Sequence, residues 1–145
     1  MKYSKGSIMS KPNVKPHWSF WVICIVTLIW NGMGSINFIM QMNPETLANF
    51  PESAKSLIST RPLWATTAFA LAVFGGLVGD IVLIQRKAVA YYLFIVSLLG
   101  VIVTNIHTIQ VSSDMNIWVG SLMSLVVSAF LTWYSKTTKQ KGWLS

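Results

Sequence analysis

Four stretches of about 20 apolar residues, free of Lys and Arg, dominate this chain, at about 18–40, 63–84, 88–109 and 117–134. A helix rises about 1.5 Å per residue, so roughly 20 residues cross the roughly 30 Å of hydrocarbon in a bilayer. In lipid a crossing segment must satisfy its own backbone polar groups, and for runs of this length the helix does so. The sequence therefore predicts an all-α polytopic membrane protein, an antiparallel bundle of four transmembrane helices. Asp80 is the single carboxylate inside a predicted span.

Only 10% of the 145 residues are charged, and eleven Lys and Arg stand against four Asp and Glu, a formal +7. Position explains the excess. Lys2, Lys5, Lys11 and Lys15 precede the first span, Arg86 and Lys87 join the second to the third, and Lys136, Lys139 and Lys141 follow the fourth; Lys55 and Arg61 alone lie in the alternate loops. The positive-inside rule then places both termini and the 85–87 turn in the cytoplasm, and the 41–62 loop and the 111–116 turn outside. A nucleic-acid partner would require the cations on one folded face with stacking aromatics beside them, and none is expected. Trp18, Trp21, Tyr91, Tyr92, Trp133 and Tyr134 thread to one interface and Trp64 and Trp118 to the other, as an aromatic belt does. The chain divides into a flexible basic arm at 1–17, a transmembrane domain at 18–135 and a basic tail at 136–145. The first span is too long for a signal peptide and lacks a small-x-small site, so it reads as uncleaved.

The 41–62 loop carries two helix starts. Asn43-Pro44-Glu45 offers a cap, a proline at the first helical position and an acid at the positive dipole end, and Pro51-Glu52 follows. Two short helices at the interface are expected, burying Leu47, Phe50, Ala54, Leu57 and Ile58.

Helices in lipid meet through small residues and shared polar groups. The first span aligns Cys24, Thr27, Asn31, Gly34, Ser35 and Phe38; the second Ala68, Ala72, Gly76 and Asp80, with Gly75 and Gly79 beside them; the third Ser97, Gly100, Thr104, His107 and Thr108; the fourth Gly120, Ser124, Ser128 and Thr132. Intramembrane ionisable groups are functional candidates. Asp80 lies four residues, about 6 Å, from the end of its span, where pairing with Lys87 on the same face is the simpler role and an ion or proton role the sharper one. His107 can titrate near neutral pH but lies about 20 Å from Asp80 along the bundle. Asn31 reads as a hydrogen-bond clamp, Asn105 as a polar neighbour of His107, and Trp30, Thr27, Thr104 and Tyr91 as candidate pocket lining.

No other chemistry stands out. There is no phosphate-binding glycine loop, no metal-ligand spacing and no catalytic triad. The lone Cys24 excludes an intramolecular disulfide. No cofactor, metal or catalytic residue is expected.

Trp30-Asn31-Gly32-Met33-Gly34, Thr60-Arg61-Pro62-Leu63-Trp64-Ala65, Val73-Phe74-Gly75-Gly76-Leu77-Val78-Gly79, Arg86-Lys87-Ala88-Val89-Ala90 and the late His107 together cover about residues 20–110. In these the chain resembles small bacterial four-span inner-membrane proteins loosely labelled sugar transporters, and it is similar to the DoxX-like four-helix fold. It lacks the acidic residue that DoxX-like proteins often carry near the start of the second span. The resemblance implies a multi-pass protein of the bacterial inner membrane.

Passage of a small solute or ion is the leading functional expectation. Four helices leave little room for a lumen, so a homo-oligomer is expected to form the path. The alternative is a non-catalytic accessory protein that binds another membrane component. A lipid- or quinone-linked enzyme using Tyr91, Tyr92 and Asp80 has the least support. Four-span drug exporters place a Glu in the middle of their first helix, where this chain has Asn31.

Overall fold

The computed structural model describes residues 14–145, so Lys2, Lys5, Lys11 and the rest of the predicted arm through residue 13 lie outside the described residues. Six helices follow: α1 (Trp18–Met42), α2 (Pro44–Leu47), α3 (Glu52–Ser59), α4 (Leu63–Ile84), α5 (Ala90–Val111) and α6 (Met115–Gln140). α1, α4, α5 and α6 are each long and apolar enough to span a bilayer. The protein is a multi-pass, all-α membrane protein.

The local chemistry explains the ends. Asn43 accepts from the Glu45 amide at 2.9 Å and Pro44 opens α2, as its sequence predicts. α6 runs six residues beyond the expected limit at Tyr134, because Ser135 and Thr138 are buried against the rest of the bundle and hold the extra turns in place. α5 starts at Ala90, two residues later than expected, because α4 closes in a Schellman turn that occupies residues 85–87. The Arg86 amide donates to the Leu83 carbonyl at 2.8 Å and the Lys87 amide to that of Val82 at 3.1 Å. This motif needs a left-handed residue, usually Gly, and Arg86 fills it at φ 61°. α6 ends in the same motif, with Gly142 at φ 79° and the Trp143 amide on the Thr138 carbonyl.

These two caps lie side by side and are tied together. The Ser145 amide donates to the Arg86 carbonyl at 2.9 Å, the Ala88 amide donates to the Ser145 carbonyl at 2.8 Å, and Arg86 Nε donates to the Trp143 carbonyl at 2.9 Å. Leu144 is thereby pressed into a cluster of Phe20, Cys24, Leu83, Ala90, Phe94 and Leu131, flanked by Tyr134 and Trp143. We call this the plugged end of the bundle. The opposite end, carrying α2, α3 and the 112–114 turn, is the loop end.

α1 packs on α4, α4 on α5 and α5 on α6, while α1 and α6 meet only loosely. At the plugged end Phe20 stacks on Tyr134 with centroids 6.3 Å apart. Further along, an apolar crevice of Val22, Ile23, Val26, Val126, Val127 and Phe130 separates α1 from α6. The tightest seam lies between α4 and α5. A methyl group placed on Gly100 would meet the Ala68 carbonyl oxygen at 2.6 Å and the Ala72 nitrogen at 2.8 Å, whereas one on Gly120 would meet nothing within 4 Å. Gly100→Ala therefore overpacks the seam and should destabilise by roughly 1–3 kcal/mol. Gly120→Ala should be neutral or slightly stabilising. Denaturant unfolding of both variants in the same detergent checks the contrast, and equal effects would contradict this packing.

Candidate functional site

A half-open cavity of about 510 Å³ lies between the helices of the bundle. All four long helices line it. Trp30, Asn31, Gly34, Asn37 and Gln41 come from α1, Phe69 and Val73 from α4, Ser97, Thr104, Asn105 and Thr108 from α5, and Asn116, Gly120, Ser124, Ser128 and Leu131 from α6. From Ile117 near the loop end to Leu131 in the plug, the lining of α6 extends about 21 Å along the axis. The polar groups converge because each helix turns its small-and-polar stripe inward. Thr104, Ser124 and Thr108 satisfy their hydroxyls on carbonyls one turn back, at 2.8, 3.1 and 2.9 Å, so these side chains need no partner on another helix.

Leu57 of α3 and Arg61 lie over the loop end of the cavity. Arg61 is anchored on two sides, with Nη2 donating to Gln41 Oε1 at 3.0 Å and the guanidinium 5.0 Å from the Phe69 ring centroid. Partial burial pulls its pKa below the ordinary value, and an arginine remains cationic all the same. In the sequence Arg61 stands out as an exception to the charge asymmetry and as part of the Thr60–Ala65 motif, neither of which points to a cavity. The available signal was that it is one of two cations outside the three basic groups.

Asp80 is fully buried behind the cavity wall. Asn31 Nδ2 donates to its Oδ2 at 2.6 Å and Thr27 Oγ1 to its Oδ1 at 2.9 Å. The single Thr27 hydroxyl proton also has the Ile23 carbonyl in reach at 2.8 Å, which makes Asn31 the committed donor. The expected pairing of Asp80 with Lys87 is not formed: among the described residues the one ion pair is Lys55 with Glu52. The reason is direction. Side chains lean toward the N-terminus of their own helix, so Asp80 points away from the 85–87 turn and into the bundle, while Thr27 and Asn31 lean the opposite way on antiparallel α1. Gly76 makes the meeting possible, since a Cβ there would lie 2.6 Å from Asn31 Oδ1.

The other candidates scatter. Asn105 lines the cavity with Nδ2 tied to the Val101 carbonyl at 2.8 Å. His107 is buried with its ring edge-on to Trp64, centroids 5.6 Å apart, and does not line the cavity. Tyr91 lies near the plugged end with Tyr92, where Lys139 Nζ sits 5.7 and 4.9 Å from the two ring centroids; it lines neither the main cavity nor the α1–α6 crevice. Thr27 borders the α1–α6 crevice instead of the main cavity. Gly34, Gly75 and Gly79 serve packing, with Gly79 facing the Phe94 ring and Gly75 in ordinary contact with Ser97. Among the described residues no group of His, Cys, Asp or Glu could hold a metal ion.

α3 is tethered over the cavity by Ser53, whose hydroxyl donates to Asp114 Oδ2 at 2.6 Å. Asp114 also caps α6 by accepting from the Asn116 amide at 2.8 Å. The Ser53 hydroxyl first, then that amide, holds the Asp114 carboxyl below the usual carboxylate range. No family model, curated protein or solved structure matches the chain.

Two measurements test this geometry. Asn31→Ala strips the buried carboxyl of its committed donor and should destabilise by roughly 1–3 kcal/mol. Asn31→Ala with Asp80→Leu removes both partners and should recover much of that loss in thermal unfolding. Because the pKa of Asp114 is lowered on folding, its contribution is complete above the ordinary carboxylate pKa and disappears as the pH falls through the lowered value. Amide exchange across 52–59, corrected for intrinsic rates, should therefore rise only on strong acidification. In Ser53→Ala it should be raised already at neutral pH.

Proposed function

We propose that this chain is a small-solute carrier in which a single bundle, and not a path between protomers, holds the solute. The observation that carries the reading is the half-open cavity of about 510 Å³, lined by all four long helices and, at the loop end, by Leu57 of α3 and Arg61. Its size falls within the usual range for sites that enclose a small molecule. Leu131 forms its inner limit, and the apolar cluster around Phe20, Phe94 and Leu144 lies beyond. In this reading the plug is the closed gate, and the weak α1–α6 side is where the bundle parts. The asymmetry of Lys and Arg supports an orientation with the termini in the cytoplasm, and the resemblance supports the bacterial inner membrane. Solute then meets the cavity from outside. The reading involves no covalent chemistry and no resident cofactor.

Flux into proteoliposomes tests it, using panels of small anions, neutral polyols and cations. Uptake above empty vesicles is expected for at least one panel. In a Cys24→Ser background, Phe20→Cys with Tyr134→Cys bridged by a short bifunctional thiol reagent should stop that flux by holding α1 to α6. Absence of uptake in every panel would sink the carrier reading and favour the non-catalytic accessory role.

A further inference from the structure

The charge and the unsatisfied groups of the cavity indicate what it takes. Among the described residues Arg61 is the sole ionisable one in its lining, and no carboxylate belongs to it. Asp80 lies behind Asn31 with both oxygens already accepting hydrogen bonds. Glu45, Glu52 and Asp114 belong to the loop end but stand outside that lining, so a cation within the cavity would meet the guanidinium with no counter-charge in the wall, whereas an anion would be attracted.

Three buried side-chain atoms lack a partner among the described residues: Arg61 Nη1, Asn105 Oδ1 and Ser128 Oγ. All three residues line this one cavity. Asn105 and Ser128 are each only 6% exposed, and buried polar groups are ordinarily satisfied. The arrangement has a sense as well as a place. The Gln41 and Phe69 contacts fix the guanidinium and leave Nη1 as its spare donor. Asn105 Nδ2 gives one of its two protons to the Val101 carbonyl, and Oδ1 is left as a spare acceptor. Ser128 Oγ can do either. Along their helices Asn105 lies about 9 Å and Ser128 about 20 Å from the loop end. The donor for an anion is thus at the mouth and the acceptor for an O–H or N–H group is deeper.

We infer that the cavity binds an organic oxyanion, a carboxylate or phosphate seated on Arg61 Nη1 whose body carries hydroxyl or amide donors toward Asn105, with Ser128 left for a longer ligand. This identifies the solute class for the carrier proposed above and rests on that reading for its transport meaning, though the binding site stands without it. The same chemistry occurs in a free metabolite and in the headgroup of an anionic lipid. A lipid has its own way in, because the apolar α1–α6 crevice adjoins the cavity at Val127, which borders both.

The test uses the purified full chain and glycerol 3-phosphate as the soluble probe, with glycerol and choline as neutral and cationic controls. Calorimetric titration in detergent should detect glycerol 3-phosphate and neither control. Arg61→Gln should weaken binding about tenfold or more, as loss of a charged hydrogen bond predicts. Arg61→Lys should restore it in part, and Lys55→Gln, which alters the same loop outside the cavity, should leave it unchanged. Asn105→Leu provides a second variant should Arg61→Gln fail to fold. A lipid source is read separately in nanodiscs, where phosphatidylglycerol but not phosphatidylcholine should raise the unfolding temperature of the parent chain and not of Arg61→Gln. A response in either arm supports the inference and names the source. Equal binding of choline or glycerol, an anion response that survives both Arg61→Gln and Asn105→Leu, or silence in both arms would overturn it. Binding without vesicle flux would remove the carrier reading and leave the oxyanion site in place.

Discussion

The buried carboxylate of Asp80 fixes where α1 lies. Asn31 and Thr27 both turn to it, and Ser35, one turn beyond Asn31, adds a bond to the Val73 carbonyl at 3.3 Å. A carboxylate far from water is costly to leave without donors, so the register of α1 against α4 is set by hydrogen bonding where dispersion alone would allow sliding. Everything on the far side of α1 follows from that choice. The helix is held along one flank, its opposite flank opens on the α1–α6 crevice, and Asn31, pulled back against α4, becomes wall instead of obstruction. The cavity is the space that this one-sided attachment leaves.

Closure at the other end is achieved by a different device. Two Schellman caps, one built on Arg86 and one on Gly142, bring the C-terminal ends of α4 and α6 together. The left-handed conformation costs a non-glycine residue about 1–2 kcal/mol, and at Arg86 it is offset by guanidinium bonds to the Trp143 and Val14 carbonyls. The result is a compact apolar seal over Phe20 and Phe94, opposite a loop end where Arg61 and the tethered α3 provide a polar, partly open cover. The bundle is therefore polarised along its axis, sealed by apolar packing at one end and partly open at the other.

Much of this architecture was legible in the residues. The four long helices followed from apolar runs of membrane-crossing length, and the starts of α2 and α3 from Asn43-Pro44-Glu45 and Pro51-Glu52. The inward stripes followed from helical spacing, which placed Asn31, Gly34, Gly100, Ser124 and Ser128 on facing surfaces. The partners of Asp80 were not legible. Counting the helical rise locates Cα atoms, while the contact depends on opposite side-chain lean in antiparallel neighbours and on the missing Cβ of Gly76. Arg61 escaped for a related reason: a loop residue has no periodicity to say which way it faces, and only the fold carries it over Phe69 and Gln41. The left-handed turn at Arg86 was hidden because the residue usually found there is Gly.

The contact between Gly76 and Asn31 implies that the two positions do not drift independently. A Cβ at 76 would occupy the space in which the Asn31 amide lies, so a gain of bulk on α4 is accommodated by shortening residue 31, and a shorter residue 31 in turn leaves Asp80 without its committed donor. Sequence change across this seam should therefore proceed in coupled steps involving positions 31, 76 and 80. Diverged chains with this fold would then display either the whole triad or a set of three apolar substitutes, with mixed combinations rare.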